Sequence, residues 1–389
     1  MNHGKTVLAQ ILEGLHPEQF RRCAQRHPMK RGTPALSAYD HFAAMVFAQL
    51  TYRESLRDIE ACLGSRRRLL YRSGIRGEVK RCNLAYANEH RDWRLFADVA
   101  AVLMRRARRL YQDQPAELGL EGDLFALDAT LIELSLALFP WARWQRNHAA
   151  LKLNVLLDLR GDIPAFVSLH EGDRHEIHAL DEIPVYAGSY YVMDRGFTDF
   201  ERLARLDRAG AWFVIRAKGN LHFYVVQSRP VDRATGLRCD QTIRLRGFYS
   251  RRHYPGTLRR IRFYDATSDL SLVFLTNNLE LPALTIASIY RERWQIELFF
   301  RWIKQHLRLR DFFSTHPNGV RVQVWSAISA YLLVAIAKRE MALSGSLHQI
   351  LQIVSISALE KIPLPELFMS YHTTETRFDI PFQLEIKGF

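Results

Sequence analysis

Between Leu124 and Ala217 the chain sets out hydrophobic segments in an order that few folds accommodate. LFALDAT reads as a buried strand ending at Asp128. In ALKLNVLLDL, residues Leu151, Leu153, Val155, Leu157 and Leu159 alternate onto one face; a turn at Arg160-Gly161-Asp162 and the return segment IPAFVSL then predict a hairpin. A short helix near 177–182, a fourth strand SYYVMD ending at Asp194, a helix TDFERLARLDRAG stopped by Gly210, and a fifth strand AWFVIRA complete the run. Three antiparallel strands, then helix, strand, helix, strand, make a short α/β core. Asp128 and Asp194 both fall at expected strand ends, which is where such sheets place their sites.

A later stretch, YRERWQIELFFRWIK (290–304), supplies a third acid. Read as one continuous helix, it brings Tyr290, Arg293, Glu297 and Lys304 into a narrow arc, beside an apolar stripe of Ile289, Ile296, Phe300, Ile303 and Leu307. The plain alternative is a surface helix whose Arg293 and Glu297 form an ordinary i,i+4 pair. Three carboxylates from separate elements change that balance, because acids meeting at one point repel and take up protons unless positive charge lies between them. Divalent magnesium or manganese suits hard oxygen ligands. Two such ions roughly 3.5 to 4 Å apart can serve both the attacking and the leaving oxygen of a phosphodiester. Tyr290, Arg293 and Lys304 would then hold phosphate, with the ring of Trp294 available for stacking.

The formal charge of +13 favours a polyanionic partner. Residues 1–112 hold 21 Lys and Arg against 10 Asp and Glu, so this stretch carries +11 of the total. Within it, LSAYDHFAAMVFAQL and TYRESLRDIEACLG predict two helices joined without a loop, with Thr51 and Glu54 as a capping box and Gly64 as a stop. Arg66, Arg67, Arg68, Arg72 and Arg76 follow, then a helix from about Asn83 to RRARRLY. A helix-turn-helix-like, basic DNA-binding domain over 1–112 is the expectation, and a solvated arginine face is the alternative. The polar stretch Asp113 to Asp123 marks a boundary, with the core expected over 123–217 and 285–340.

Residues 218–284 change to alternating β segments, LHFYVVQ, QTIRLRGFY, LRRIRFYD and SLVFLTN, and read as an insertion. Their interleaved arginines and aromatic residues suit DNA contact, and equally suit a one-sided sheet. Lys218 to Asn220 could touch DNA on the active-site side. Helical cover is expected beyond the 290–304 helix, including a C-terminal helical region at 341–389. His170, His175 and His178 read as loop residues, and Asp158, Asp162 and Asp173 as turn residues. Four scattered cysteines, no signal-like N-terminus, and an apolar run at Ala327–Ala337 too short to span a bilayer lead to the expectation of a soluble, cytoplasmic protein with no membrane association.

At these positions the sequence resembles the DDE transposases of bacterial insertion sequences, in the family-four type of branch with the signature Y-x2-R-x3-E-x6-K. Tyr290, Arg293, Glu297 and Lys304 match that signature, LDAT at Asp128 the first acidic block, and DRGF at Asp194 the second. The resemblance implies a ribonuclease-H-like catalytic core with a β-rich insertion before Glu297. It also implies cut-and-paste transposition, with catalysis and metal ligation by Asp128, Asp194 and Glu297 around two Mg2+ or Mn2+ ions. Further implications are phosphate contact by Tyr290, Arg293 and Lys304, a flipped base near Trp294, binding of double-stranded DNA at terminal inverted repeats and target, and a homodimer. The last fifty residues match no motif. A catalytically inactive, transposase-derived DNA-binding regulator is the alternative; the complete set of three acids favours the enzyme.

Overall fold

The computed structural model describes residues 4–29, 35–114, 118–306 and 311–368. Before the first strand come α1 (Val7–Leu12), α2 (Pro17–Arg26), α3 (Ala38–Leu50), α4 (Leu56–Ser65), α5 (Arg67–Leu70), α6 (Arg81–His90) and α7 (Arg94–Tyr111). Every residue of α3 from Asp40 to Leu50 is buried, which makes it a core helix and not a surface one. Thr51 and Glu54 do not form the expected capping box. The Thr51 hydroxyl instead donates to the Phe47 carbonyl at 2.7 Å, Tyr52 turns left-handed at φ 54°, and Ser55 caps α4 by accepting from the Asp58 N–H. A short link therefore separates the two helices, and Gly64 lies inside the last turn of α4. The helix expected from Asn83 onward is also two helices. It breaks at 91–93, where the Asp92 carboxylate takes the Arg94 N–H at 2.9 Å and buried Arg91 reaches the Leu36 carbonyl at 2.7 Å.

The sheet begins with β1 (Leu124–Leu134), β2 (Arg143–Gln145), β3 (His148–Asp158) and β4 (Ile163–Glu171). After α8 (Ala179–Glu182) come β5 (Tyr190–Met193), α9 (Phe200–Arg208) and β6 (Trp212–Arg216). β3 lies between β1 and β4 and is antiparallel to both, while β5 and β6 run parallel to β1 on its other side. The expected core order is thus present. β1 does not stop at Asp128, because β3 pairs with it as far as Leu134↔Ala149. It is β5 that stops, at Met193 opposite Leu127, so Asp128 and Asp194 still stand side by side where the parallel sheet ends.

Residues 218–284, expected as an insertion, supply β7 (Phe223–Arg229), β8 (Leu237–Leu245), α10 (Phe248–His253), β9 (Thr257–Asp265) and β10 (Leu270–Thr276). These strands extend the core sheet: β10 pairs antiparallel with β6, and β9, β8 and β7 follow outward. Phe248 and Tyr249, expected in a strand, lie in α10. β8 loses its partner once β9 begins at Thr257 opposite Arg244, and the chain turns at Gly247.

Beyond the sheet lie α11 (Ala283–Glu292), α12 (Trp294–His306), α13 (Pro317–Glu340) and α14 (Leu347–Ser357). The 290–304 stretch is therefore not one continuous helix. It tightens at Arg293, whose N–H bonds the Tyr290 carbonyl and whose carbonyl accepts from Ile296, both at 3.2 Å. α13 is apolar on all sides and packs against α3, α6, α7, α12, α14 and β4. By length and composition it could cross a membrane, which corrects the expectation of too short a run, but 94% of its apolar window is buried inside the protein. It joins the N-terminal helices to the sheet: Asn318 donates to the Asn88 and Arg91 carbonyls, and Tyr331 donates to the Asp162 carbonyl in the β3–β4 turn. Residues 369–389 of the expected C-terminal region lie outside the described residues.

Candidate active site

Strand parity decides which way the acids face. Phe125 and Leu127 of β1, with Tyr191 and Met193 of β5, belong to the core on the α8–α9 side. Ala126 and Val192 belong to the opposite core. Asp128 and Asp194 share the parity of Ala126 and Val192, so both point to the side that receives α12, which packs against β1. Glu297 lies in the first turn of α12.

Arg293 occupies the middle of this group. Its Nη1 is 3.1 Å from Asp128 Oδ2 and its Nη2 is 2.6 Å from Glu297 Oε1. Tyr290 donates its hydroxyl to Asp194 Oδ1 at 3.2 Å, and its ring lies 5.6 Å from the Arg293 guanidinium carbon. Phe274 of β10 packs against that same ring, with centroids 4.7 Å apart, so an insertion strand helps to hold Tyr290 in place. Asp128 Oδ1 accepts its own neighbour's N–H, from Ala129, at 2.8 Å. Residues far apart in the chain are thereby brought into one polar cluster under the C-terminal edge of β5.

The electrostatics follow from crowding and burial. Burial pushes the Asp128 carboxyl up to about 7, against the pull of Arg293 and the Ala129 N–H, with Glu297 and Asp194 adding to the rise. Burial likewise raises Glu297, and lifts the Tyr290 phenol to about 12. For Arg293, burial works against the cation, but Tyr290 and the three carboxylates outweigh it and the guanidinium is held more firmly protonated. Its Nε is buried with no hydrogen-bond partner, so two of its three nitrogens carry the pairing.

Two of the three carboxylates are met in direct contact by one guanidinium. Among the described residues no group of three or more His, Cys, Asp or Glu stands close enough to hold a metal ion, and Arg293 occupies the space between Asp128 and Glu297. The donor chemistry nevertheless fits a hard divalent cation: all-oxygen ligands, an excess of negative charge, and a carboxyl whose proton is held by burial beside that excess.

Trp294 is buried, so its ring is packed away from solvent in this arrangement. Lys304 lies about two turns beyond Glu297 on α12 and is partly buried. His170 pairs with Glu182 at 3.0 Å, His175 caps a short turn by accepting from Ile177, and His178 lies 3.6 Å from Asp181. Asp158 is buried between Arg108 and Arg160. What the sequence did not reveal is the contact between Arg293 and Asp128. They are 165 positions apart, and only the i,i+4 spacing of Arg293 and Glu297 is visible locally.

Residues 119–333 match the family described as the Transposase DDE domain. This chain belongs to the DDE transposases. Their domain brings the ribonuclease-H-like core, and a general dependence on divalent metal, to the sheet described above. A Sinorhizobium fredii protein that bears the name transposase is 32% identical over 260 residues, covering 66% of this chain and 71% of its own length. A Geobacillus stearothermophilus protein named as a transposase for insertion sequence element IS5377 is 31% identical over 247 residues, 62% of each chain. A Synechocystis protein named for insertion sequence element IS4SA is 26% identical over 284 residues, 69% of this chain and 75% of its own. Residues 3–76 match a second family, described as a domain of unknown function. As a DDE transposase of an insertion sequence, the chain is a DNA-cleaving and strand-transferring enzyme.

Proposed function

We propose that this transposase moves its insertion sequence by cut-and-paste, in the branch marked by Tyr290, Arg293, Glu297 and Lys304, with Asp128, Asp194 and Glu297 as the catalytic acids. The observation that carries this reading is the single cluster in which Arg293 bridges Asp128 and Glu297 while Tyr290 holds Asp194. Asp128, Asp194 and Glu297 would hold two Mg2+ or Mn2+ ions. Those ions would supply the activation of water or a 3′-OH and the neutralisation of the leaving oxygen.

The chain's own residues set up that chemistry. Arg293 keeps the buried acids from all taking up protons and would be shared with an entering phosphate, to which Tyr290 and Lys304 would add donors. Trp294 would meet a displaced base only after a local rearrangement, because its ring is buried. Terminal inverted repeats and target DNA are the duplex partners, with a homodimer joining the two ends, in the cytoplasm. Residues 1–112 serve as the basic DNA-binding domain, 123–217 and 285–340 as the catalytic core, 218–284 as the insertion and 341–389 as the C-terminal region.

The direct test incubates the full chain with magnesium and a linear duplex carrying the element's end, beside Glu297→Gln. Strand products from wild type only support the assignment; equal products from both would sink it. End recognition is tested by charge removal on the surface, such as Arg67→Gln with Arg68→Gln. Deleting 1–112 would strip α3 and α7 from α13 and unfold the core.

A further inference from the structure

The structure sorts the insertion's arginines and aromatic residues into two groups. Arg259 is buried in a two-point pair with Asp240, Arg260 bonds Cys239 and Gln241, Arg262 bonds Ser271, and Tyr254 and Phe263 are in the interior. The others gather at one rim. Tyr224, Val225 and Val226 of β7 and Phe248 and Tyr249 of α10 are between 48 and 73% exposed, and no other part of the described surface exposes so many large apolar side chains. The rings of Phe248 and Tyr249 meet edge to face at 5.4 Å, and Arg246 lies 5.3 Å from the Tyr224 ring. Arg244, Arg246, Arg251 and Arg252 are exposed around them and pair with no carboxylate among the described residues. The sequence has no Asp or Glu from Arg208 to Val231, nor from Gln241 to Tyr264, so the two segments forming the rim are purely cationic.

Strand register places this rim at the end of the sheet from which β5 and β6 start, away from Asp194: Arg244, at the end of β8, is opposite Thr257, the first residue of β9, and β7 starts there at Phe223 opposite Leu245. α10 packs on α9, and Tyr254 just beyond α10 donates to Asp207, in the last turn of α9, at 2.6 Å.

We propose that this rim binds unpaired DNA, with bases stacked on Phe248, Tyr249 and Tyr224 and phosphates held by Arg244, Arg246, Arg251 and Arg252. It rests on the chain's activity on DNA and not on the roles given to the three acids. Arginines alone would suit a duplex, but flat exposed rings need bases whose faces are free. The competing occupant is a second copy of this chain added along the open edge of β7. Charge argues against that, because two copies meeting there would press four unpaired arginines from each against one another.

The test uses the full chain in EDTA, so that no cleavage intervenes and failure of the metal-site reading cannot affect the result. Fluorescence anisotropy compares a labelled single strand of about 20 nucleotides with its duplex. Phe248→Ala with Tyr249→Ala should weaken single-strand binding about tenfold or more and leave duplex binding within about twofold. Arg251→Gln with Arg252→Gln should lower single-strand affinity and flatten its salt dependence, the slope falling by roughly 0.7 for each phosphate no longer neutralised. Both pairs are exposed, and an unchanged melting temperature confirms that the variants fold. Unchanged single-strand affinity in both variants would overturn the proposal. So would an equal loss on duplex in the aromatic variant, or sedimentation showing a wild-type dimer that this variant abolishes.

Discussion

Arg293 and Asp128 lie 3.1 Å apart in the protein interior, and the guanidinium that neutralises this acid also holds Glu297 at 2.6 Å. One cation thus serves two acids, one from a strand and one from a helix, with Arg293 itself 165 positions from Asp128. Removing it leaves buried negative charge uncompensated, a loss on the order of 3 to 5 kcal/mol. Arg293→Gln should therefore lower the urea midpoint in metal-free buffer. Magnesium should restore more stability to this variant than to wild type, since a cation binding only the folded state stabilises it. Equal midpoints for the two proteins without metal would show that Arg293 is not the counter-ion.

The pH dependence follows from Asp128, which is raised to about 7 chiefly by burial. The folded protein keeps this proton to a higher pH than the unfolded chain. Between about pH 4 and 7 the unfolded state loses its proton first, so stability falls as pH rises through that window and then levels off. At about 1.4 kcal/mol per unit the effect amounts to a few kcal/mol. Urea unfolding of the metal-free protein at pH 5 and pH 7.5 measures it, and Asp128→Asn should remove most of the difference. A stability profile that climbs from pH 5 to 7.5 would contradict the assignment.

Asp240 and Arg259 are both buried in the insertion, joined by bonds of 2.7 and 2.8 Å across β8 and β9. Asp240→Asn leaves the guanidinium without its anion and should loosen these strands by about 3 kcal/mol or more. Hydrogen exchange should quicken in β7, β8 and β9 while β1 and β3 stay protected. Uniform protection across the variant's sheet would mean that the pair does not hold the insertion.

Two glycines give a contrast. Gly161 has φ +76°, and a Cβ there would fall 2.0 Å from the Tyr111 ring, whereas a Cβ on Gly64 in α4 meets nothing within 4 Å. Gly161→Ala should cost on the order of 2 kcal/mol or more, through strain and the displaced ring. Gly64→Ala should be stabilising by about 0.5 to 1 kcal/mol. Thermal melts of the two variants should move in opposite directions; movement in the same direction would refute the account.

Much of the fold is legible in the sequence where the signal is local. Alternation in β3 and β4, the turn at Gly161, and the helix stop at Gly210 follow from side-chain period and backbone preference, and the strands lie where those rules put them. Asp128 and Asp194 can be paired in advance because the order of segments makes β1 and β5 neighbours. Features that depend on distant packing are not legible. The length of β1 is set by β3, and the break at Arg293 and the burial of Trp294 are set by what α12 packs against. Thr51 and Glu54 match a capping pattern, yet the left-handed Tyr52 moves the cap to Ser55. Phe248 and Tyr249 match a strand pattern, but β9 begins too late to pair with them.

Because β10 hydrogen-bonds directly to β6, the insertion is not attached to the core through a hinge. From β5 to β7 there are five strand steps, roughly 24 Å at the usual spacing, so the outer edge sits at a set offset from Asp194, like a mark on a ruler. Excising residues 218–284 would do more than remove the exposed rings of Tyr224, Phe248 and Tyr249. It would leave β6 as a bare hydrogen-bonding edge and take away the Phe274 ring that steadies Tyr290, so such a truncation should precipitate before its chemistry could be assayed.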